Sequence, residues 1–230
     1  MIEDIILVDK PKGITSFDVI RRLRRILNIK KIGHAGTLDP LATGLMILGV
    51  GPGTKKLTAL VKLDKEYIAE VRIGESRTTG DLEGDIIEEK AVTELAEVVV
   101  RTALDGMCGV LTLPVSAYSA IKVDGVPMYK RARKAEETGD VITDVPIRNM
   151  RVDAAELVSL VVENNRAVAT VRFAVSSGTY IRSLAETLGE RLGYPATLQN
   201  LQRTKVGEFD LKQAKQIDDF RSEIEASSKQ

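Results

Sequence analysis

The clearest alternation of apolar and polar residues lies in KEYIAEVRIG, residues 65–74. Residues two apart in an extended chain point to the same side, so this stretch predicts a strand with one buried face. That face would carry Tyr67, Ala69, Val71 and Ile73. Shorter apolar runs at 4–9 and at 45–50 predict two more strands, the second of them buried.

The segment 15–27 has the apolar spacing of a helix instead. Thr15 would be its N-cap, and Asp18 at the third helical position completes a variant of the capping box. Apolar residues three to four apart would form the core stripe: Phe17, Ile20, Leu23 and Leu27. Much of the remaining surface would be arginine: Arg21, Arg22, Arg24 and Arg25.

The apolar spacings typical of strands and of helices both recur along the rest of the chain. Helices are predicted over 54–63, 93–105 and 178–193, and strands over 202–209 and 147–175, the last range holding two strands joined at Asn164-Asn165. Residues 118–134 predict a strand, an Asp124-Gly125 turn and a helix with Pro127 at its start. The alternation of helices and strands is irregular. It therefore predicts an α+β fold with a mixed, mostly antiparallel sheet flanked by helices and loops, rather than repeated βαβ units.

Composition narrows the class of protein. The chain has 230 residues, of which 43% are hydrophobic, enough for a sizeable core. A lone cysteine, Cys108, excludes an internal disulfide and fits a reducing cytoplasm. Because there is also a single histidine, the three or four ligands that zinc requires are missing, and we expect no metal site. An acidic N-terminus and the lack of an apolar run of about 20 residues argue against a signal peptide and a membrane span.

Charge is balanced overall but unevenly distributed, with 33 basic and 33 acidic residues. Residues 1–60 hold ten Lys and Arg against five Asp and Glu, whereas residues 81–105 hold eight acids against two bases. A basic N-terminal region is typical of a surface that meets a polyanion, although solvated charge clusters produce the same pattern.

The glycines of GVGPGTKK, residues 49–56, suggest a phosphate-binding loop, but their spacing is wrong for one. A P-loop has lysine directly after its second conserved glycine, and here Thr54 separates Gly53 from Lys55. We therefore expect no nucleoside triphosphate as a ligand.

One loop, GHAGTLDPLATG at 33–44, combines the single histidine of the chain with a single carboxylate, Asp39. Pro40 keeps Asp39 out of the helical region, and Gly36 and Gly44 permit sharp turns on either side. The loop would present one acid on a rigid, exposed turn. An ordinary Asp-Pro turn without a function explains the same residues.

Arg182 suggests a partner for an acid. It lies in the first turn of the helix predicted over 178–193, where the helix dipole disfavours a cation, so a specific acidic partner is expected. Asp39 and Asp81 are the candidates, and a bidentate pair would fix the rotamer of the acid. The alternative is a solvated arginine that pairs with Glu186 one turn on.

Seven segments resemble those of one family, in the family's order. DKPKGITSFDV matches its N-terminal motif and GHAGTLDPLATG its catalytic loop. KEYIAEVRIG, TTGDLEG, YSAIKVDGVPMYKRAR, SSGTYIRSLAETLG and LQRTKVGEF follow. Together they span roughly residues 7–210, and the chain resembles the tRNA pseudouridine synthases of the TruB type, which act on the T-loop uridine at position 55.

The resemblance implies a role for each matching position. Asp39 matches the catalytic aspartate, Tyr67 the tyrosine that packs on the target base, and Arg182 the arginine paired with the aspartate. His34 matches the histidine that enters the RNA as the uridine flips out. The other matches belong to the acid network and to the base pocket: Asp81, Tyr180 and Leu201.

The implied reaction fits the composition. Pseudouridine formation breaks the glycosidic C–N bond, turns the base and rejoins it through carbon, so no cofactor and no metal are expected. One nucleophilic carboxylate suffices, and it could add to the base, attack the sugar C1′ or remove a proton from C2′. Two alternatives stay open: a non-catalytic tRNA-binding chaperone, which does not need Asp39, and a hydrolase that releases free uracil.

The expected organisation is a catalytic domain over 1–210, with an RNA-gripping insertion near 119–147 and a polar tail over 211–230. The small C-terminal RNA-binding domain that is common in relatives is not expected here. The expected partner is tRNA, through its T-arm stem-loop, contacted by 15–31 and 130–134 as well as by the catalytic loop. We expect a cytoplasmic monomer with neither a membrane nor a metal as partner.

Overall fold

The structure is a computed structural model, and it describes residues 4–119, 121–138 and 145–227. In chain order the elements are β1 (Ile5–Lys10), α1 (Ser16–Leu27), β2 (Ile32–His34), β3 (Thr43–Val50), a 3₁₀ helix (Gly51–Lys56), α2 (Leu57–Leu60), β4 (Lys65–Ile73), β5 (Glu75–Arg77), β6 (Ile86–Glu89), α3 (Glu97–Asp105), β7 (Gly109–Pro114), β8 (Lys122–Val123), β9 (Val126–Pro127), α4 (Met128–Thr138), β10 (Ile147–Glu163), β11 (Arg166–Val175), α5 (Ile181–Leu192), β12 (Ala196–Val206), β13 (Phe209–Asp210), a second 3₁₀ helix (Leu211–Gln213) and α6 (Ile217–Ser227). Within these described ranges, no helix has the length and apolar character needed to cross a membrane.

The chain folds into two compact units. The first comprises Met1–Ile68, Ala174–Ser177 and Asn200–Gln230, and the second comprises Ala69–Phe173 and Gly178–Gln199. Strands β4, β11 and β12 contribute residues to both units.

In the first unit, the strand order is β1-β3-β12-β4. β1 runs antiparallel to β3, from Ile5 opposite Gly49 to Lys10 opposite Gly44. β2 is also antiparallel to β3, whereas β12 is parallel to it. The strands predicted at 4–9 and 45–50 are confirmed, and the second is buried as expected.

Helix α1 has the predicted capping box. The amide of Asp18 donates to Thr15 Oγ1 at 3.1 Å, and the amide of Thr15 donates to Asp18 Oδ2 at 3.0 Å. The buried positions are Ser16, Val19, Ile20, Leu23 and Leu27. The prediction that Phe17 belongs to the core stripe is wrong. At 100° per residue, Ser16 and Val19 take the inward positions on either side of it, and Phe17 is 58% exposed.

In the second unit, the strand order is β12-β4-β11-β10-β7, with β10 antiparallel to β7. Asn164 and Asn165, with φ of 52° and 58°, form the turn between β10 and β11, as predicted for a tight hairpin. Helix α3 packs against β10 and α5. The predicted inward face of β4 is confirmed, since four residues are buried: Tyr67, Ala69, Val71 and Ile73.

The helix predicted over 54–63 is instead a 3₁₀ helix followed by the single turn of α2. Gly51 adopts a φ of 55°, and a Cβ on Gly53 would collide with the carbonyl of Asp4. The glycines of GVGPGTKK therefore permit close packing of main chain. Helix α3 also begins later than predicted, at Glu97.

The predicted C-terminal tail and the predicted insertion both contain regular secondary structure. The expected polar tail contains α6, whose Ile217 and Phe220 are buried and which packs against α1. In the expected insertion, the Asp124-Gly125 turn joins β8 to β9, and α4 follows Pro127. Residues 120 and 139–144 of that insertion lie outside the described residues.

Candidate active site

The loop between β2 and β3, residues 35–42 and called here the Asp39 loop, is held through its main chain. At the start of α1, Ser16 Oγ accepts a hydrogen bond from the amide of Leu38 at 2.8 Å and donates to the Leu38 carbonyl at 2.9 Å. Asp39 follows directly and is half-buried, so it is less exposed than predicted. The hydroxyl group fixes the main chain just before the acid.

Lys10, fully buried at the end of β1, fixes the main chain after the acid. Its Nζ donates to the carbonyls of Ala42 at 2.5 Å, Pro11 at 3.1 Å and Pro40 at 3.4 Å. A buried ammonium group must replace its lost water with such acceptors. The acid therefore lies between two residues, Leu38 and Pro40, whose carbonyls both accept hydrogen bonds.

Arg203 on β12 connects the start of the Asp39 loop to the strand that follows the loop. It is 1% exposed, and it donates through Nη2 to the carbonyl of Gly36, near the start of the loop, at 3.3 Å and through Nε to the carbonyl of Leu45, on β3 just after the loop, at 2.8 Å. The predicted sharp turns are confirmed, with φ of 103° at Gly36 and 100° at Gly44. A Cβ on Gly44 would also collide with the main chain of Arg203.

Lys10 and Arg203 are absent from the predicted site, although the alternation of the strands contains a signal for both. Lys10 follows Ile6 and Val8 on the inward face of β1, and Arg203 follows Leu201 on the inward face of β12. A cation at an inward strand position indicates a buried charge with specific partners.

Three more residues of the predicted site, His34, Tyr67 and Leu201, belong to the first unit, as Asp39 does. His34 ends β2 and is half-buried. Burial lowers the pKa of His34 and the charge of Arg203 lowers it further, while a main-chain hydrogen bond with Gly36 opposes them, so the neutral form of the imidazole is favoured. Tyr67 on β4 is 7% exposed and Leu201 on β12 is 8% exposed.

Lys65, two residues before Tyr67, is another buried cation that is not part of the predicted site. Burial, followed by the charge of Arg203, lowers its pKa to about 8. Its Nζ donates to the Leu63 carbonyl at 2.5 Å and to Ser177 Oγ at 3.0 Å. Lys65 thereby anchors the beginning of the strand that carries Tyr67.

In the second unit, Asp81 lies in the loop between β5 and β6, residues 78–85 and called here the Asp81 loop. The residue is 3% exposed. Its Oδ1 accepts hydrogen bonds from Thr79 Oγ1 at 2.6 Å and from the amide of Glu83 at 3.1 Å. Its main chain forms a bridge with Leu198 on β12. The carboxylate therefore closes the turn in which it lies.

Arg182 occupies the first turn of α5, as predicted, and is 6% exposed. Its Nε lies 3.8 Å from Asp81 Oδ2, and its Nη1 and Nη2 donate to the carbonyls of Thr79 at 3.0 Å and Tyr118 at 3.1 Å. The alternative of a solvated arginine is wrong, because these acceptors enclose the guanidinium group. Asp39 belongs to the other unit, and its predicted pairing with Arg182 stays a prediction.

Glu186, one turn after Arg182, is exposed as a residue, but its carboxyl group lies against the Asp81 loop. A Cβ on Gly80 would be 2.7 Å from Glu186 Oε1. Burial of this group raises the pKa of Glu186 to about 7, with Glu190 and Asp81 raising it further and Arg182 opposing them. Glu186 thus changes its charge near neutral pH beside the Arg182–Asp81 pair.

The Asp81 loop is also supported from β5. Glu75 is fully buried and forms ion pairs with three arginines: Arg72, Arg77 and Arg166. Burial alone would raise the pKa of Glu75, but the hydrogen bond and charge of Arg77, with the other two charges, lower it. Arg77 Nη1 donates onward to the carbonyls of Leu82 at 3.2 Å and Gly84 at 2.9 Å. Arg77 therefore connects the buried acid to the loop that carries Asp81.

The predicted site residues are distributed over both units. The first unit holds Asp39, His34, Tyr67 and Leu201, and the second holds Asp81, Tyr180 and Arg182. Tyr180 is the half-buried N-cap residue of α5, with extended backbone. The arrangement offers a half-buried acid on a fixed loop and an arginine with a fixed orientation, while the individual roles stay predictions.

Comparison with known proteins identifies the family. Residues 24–181 match the family model described as TruB family pseudouridylate synthase, N-terminal domain. The chain belongs to the TruB family. The family predicted from the seven motifs is confirmed, and with it the class of enzyme, an RNA pseudouridine synthase.

TruB relatives align with nearly the whole chain. The tRNA pseudouridine synthase B of Leifsonia xyli subsp. xyli is 43% identical over 216 residues, which cover 93% of this chain and 70% of that protein. The protein of the same name from an Arthrobacter species is 40% identical over 227 residues, which cover 98% of this chain and 72% of that protein.

Solved structures resemble this TruB chain in fold. A chain of a Cbf5–Nop10–Gar1 complex superposes with a TM-score of 0.71 at 24% identity, covering 97% of this chain and 56% of that chain. A chain of the archaeal box H/ACA sRNP Nop10–Cbf5 complex gives a TM-score of 0.65 at 25% identity, covering 95% and 52%. The protein thus spans little more than half the length of these two chains, and its predicted fold class is confirmed.

Proposed function

We propose that this protein isomerises uridine to pseudouridine in tRNA, at position 55 of the T-loop. The observation that best supports the proposal is the Asp39 loop, in which one carboxylate sits on a main chain fixed by Lys10, Ser16 and Arg203. Relatives about 40% identical to the chain carry the name tRNA pseudouridine synthase B.

Asp39 acts as the nucleophile. Within one nucleotide the glycosidic C1′–N1 bond breaks and a C1′–C5 bond forms, while C5 loses its proton and N1 gains one, so the composition is unchanged and no group passes to a second molecule. A carboxylate serves any of the three routes, addition to the base, attack on C1′ or removal of the C2′ proton, provided that it is held in one orientation. The hydrogen bonds on both sides of Asp39 support this role, because they fix the main chain from which the carboxylate projects.

Arg182 and Asp81 belong to the same catalytic machinery. The guanidinium group of Arg182 is fixed by two carbonyls and by Asp81, so it does not need to reorganise as charge develops during the reaction. Lysine, a point charge on a flexible stem, lacks the planar fork that makes these contacts together.

The uridine must leave its stack before it reaches a protein carboxylate, at a cost of a few kcal/mol. Stacking on an aromatic ring recovers about 1–3 kcal/mol, and we assign that role to Tyr67. The neutral imidazole of His34 takes the place that the base leaves, and Tyr180 and Leu201 each contact the flipped base. The substrate is the T-arm stem-loop of tRNA, bound by a monomer in the cytoplasm.

Product analysis tests the proposal. The full chain is incubated with a tRNA transcript, and the RNA is digested to nucleosides and analysed by mass spectrometry with sequence mapping. We expect pseudouridine at position 55 in an RNA of unchanged mass, and none with Asp39→Asn. Unmodified RNA that is nevertheless bound would support a chaperone. Free uracil and an abasic site would support a hydrolase.

A further inference from the structure

Helix α1 presents an aromatic ring and several cations to solvent. Phe17 is 58% exposed, and among the exposed large apolar side chains of residues 4–119, 121–138 and 145–227 it is the one aromatic. Arg21 and Arg24 follow at four and seven residues, so they lie on the same face of the helix as Phe17. Arg25 is exposed beside them. We call these four residues the α1 stripe.

The ring of Phe17 is held in place although it is exposed. The guanidinium carbon of Arg24 lies 5.8 Å from the centre of the ring, within the range of a cation–π contact. Arg24 is itself anchored, because its Nη2 donates to the Ile32 carbonyl at 3.0 Å. An aromatic surface that is already ordered loses little conformational freedom when it binds a flat ligand.

The first turn of α1, which carries Phe17, contacts the Asp39 loop through Ser16. Ser16, the residue before Phe17, makes both hydrogen bonds to Leu38, the residue before Asp39. Both contacts lie within the first unit. The first turn of α1 therefore lies against the residue that precedes Asp39.

The charge of this surface favours a polyanion. Asp18 is the one acid in α1, and it caps the helix and pairs with Arg21. Two more exposed cations, Lys30 and Lys31, follow the helix. Cations interleaved with an exposed aromatic ring are the combination that binds unpaired nucleotides, through phosphate contacts and base stacking.

We propose that the α1 stripe binds substrate RNA next to the reacting uridine. Phe17 stacks on an unpaired base, and Arg21 and Arg25 contact phosphates. Arg24 keeps the ring in its stacking position. This inference rests on the proposed function. Within the expected contact region 15–31, it names the side chains that bind the RNA and the part that each one plays.

Direct binding of a tRNA transcript across a salt series tests the surface. Phe17→Leu should raise Kd about tenfold with an unchanged salt slope, because stacking on one base is lost. Phe17→Tyr keeps a stacking ring and should bind like the wild type. The double variant Arg21→Gln, Arg25→Gln should raise Kd and flatten the salt slope by one to two units, at roughly 0.7–0.9 unit for each lost phosphate contact.

Arg221→Gln is the matched control, since Arg221 is an exposed arginine on α6 in the same unit. It should change neither Kd nor slope. Wild-type affinity in the Phe17→Leu and double variants overturns the inference, and so does an equal loss with Arg221→Gln, which would indicate general electrostatics. Failure of the proposed function would look different from failure of this inference, because the wild-type protein itself would then form no pseudouridine in the same transcript.

Discussion

The Asp39 loop and the Asp81 loop each carry one acid of the predicted site, but the two loops are held in different ways. The contacts on the Asp39 loop from Lys10, Ser16 and Arg203 reach main-chain atoms on either side of the acid. In the Asp81 loop the carboxylate itself takes part, because Asp81 accepts hydrogen bonds within the turn and pairs with Arg182.

The supports from Lys10, Ser16 and Arg203 do not pass through the carboxylate of Asp39, whereas those of the Asp81 loop do pass through the carboxylate of Asp81. A loop anchored through its carbonyls keeps its path when the acid within it is changed. A loop whose turn depends on hydrogen bonds to its own carboxylate should change its path when that acid is replaced. We therefore expect variants of the first loop to lose activity without losing stability, and variants around the second loop to lose some of both.

The largest expected effect is that of Asp39→Asn. The amide keeps the shape of the side chain but is no nucleophile, so turnover should fall by a factor of at least about 10⁴. Because the main chain is held independently, Tm and the Kd for tRNA should stay close to those of the wild type. Single-turnover assays, thermal melts and filter binding measure the three quantities. Residual activity within tenfold of the wild type would exclude Asp39 as the nucleophile.

Arg182→Lys should come next, with kcat lowered about 100-fold and RNA affinity changed far less. Lysine keeps the charge but cannot reach Asp81 and two carbonyls in one plane. Arg172→Lys, which alters an arginine paired with Glu156 on β10, is the control. Near-normal kcat for Arg182→Lys would show that the pair with Asp81 serves only the fold.

Arg77→Lys tests the support behind the Asp81 loop. The substitution removes the simultaneous contacts of Arg77 with Glu75, Leu82 and Gly84, so the loop that carries Asp81 should shift. Because Asp81 holds Arg182, the guanidinium group should be displaced as well, and kcat should fall about tenfold. KM should change little and Tm should fall by a few degrees. If only Tm falls, the Glu75–Arg77 pair stabilises the unit without positioning Asp81.

The smallest effect concerns Glu186 and pH. Its pKa is raised to about 7 from an ordinary value of 4.5, so between these values the folded state binds more protons than the unfolded state. Stability therefore falls as pH rises through this window, and Glu186→Gln, neutral at every pH, should lessen the decline. Solvent screening of this exposed residue keeps the effect small. Thermal melts at pH 5 and pH 8 measure it, with Glu208→Gln as an exposed control; equal declines in all three proteins would refute the coupling.

Local signals predicted much of the fold. The alternation along β4, the Asn164-Asn165 turn and the Thr15 capping box each depend on a few neighbouring residues, and the structure has all of them. Helical spacing alone predicts Phe17 inward, because it fixes a stripe only to within about one residue, and the packing of α1 decides which side is buried. The 3₁₀ helix at Gly51–Lys56 depends on contact with Asp4, which is distant in sequence.

A residue of the site could be predicted where its charge is unfavourable for its local secondary structure. Arg182 stands at the positive end of a helix dipole, and that conflict indicated a specific acidic partner. Lys10, Arg203 and Glu75 were missed because charged residues are normally placed at the surface, and their partners come from distant segments. Such partners become visible only when the strands are assembled.

Lys10 has a consequence for the conditions under which the enzyme works. Three carbonyl oxygens converge on one compact positive charge, which is how a dissolved potassium or sodium ion is often coordinated in proteins. Here the positive charge is the ammonium group of Lys10, which belongs to β1. It is therefore always present at its site and does not exchange with ions in the medium. The order of the Asp39 loop should therefore be independent of which monovalent salt surrounds the protein, even where the binding of RNA is not.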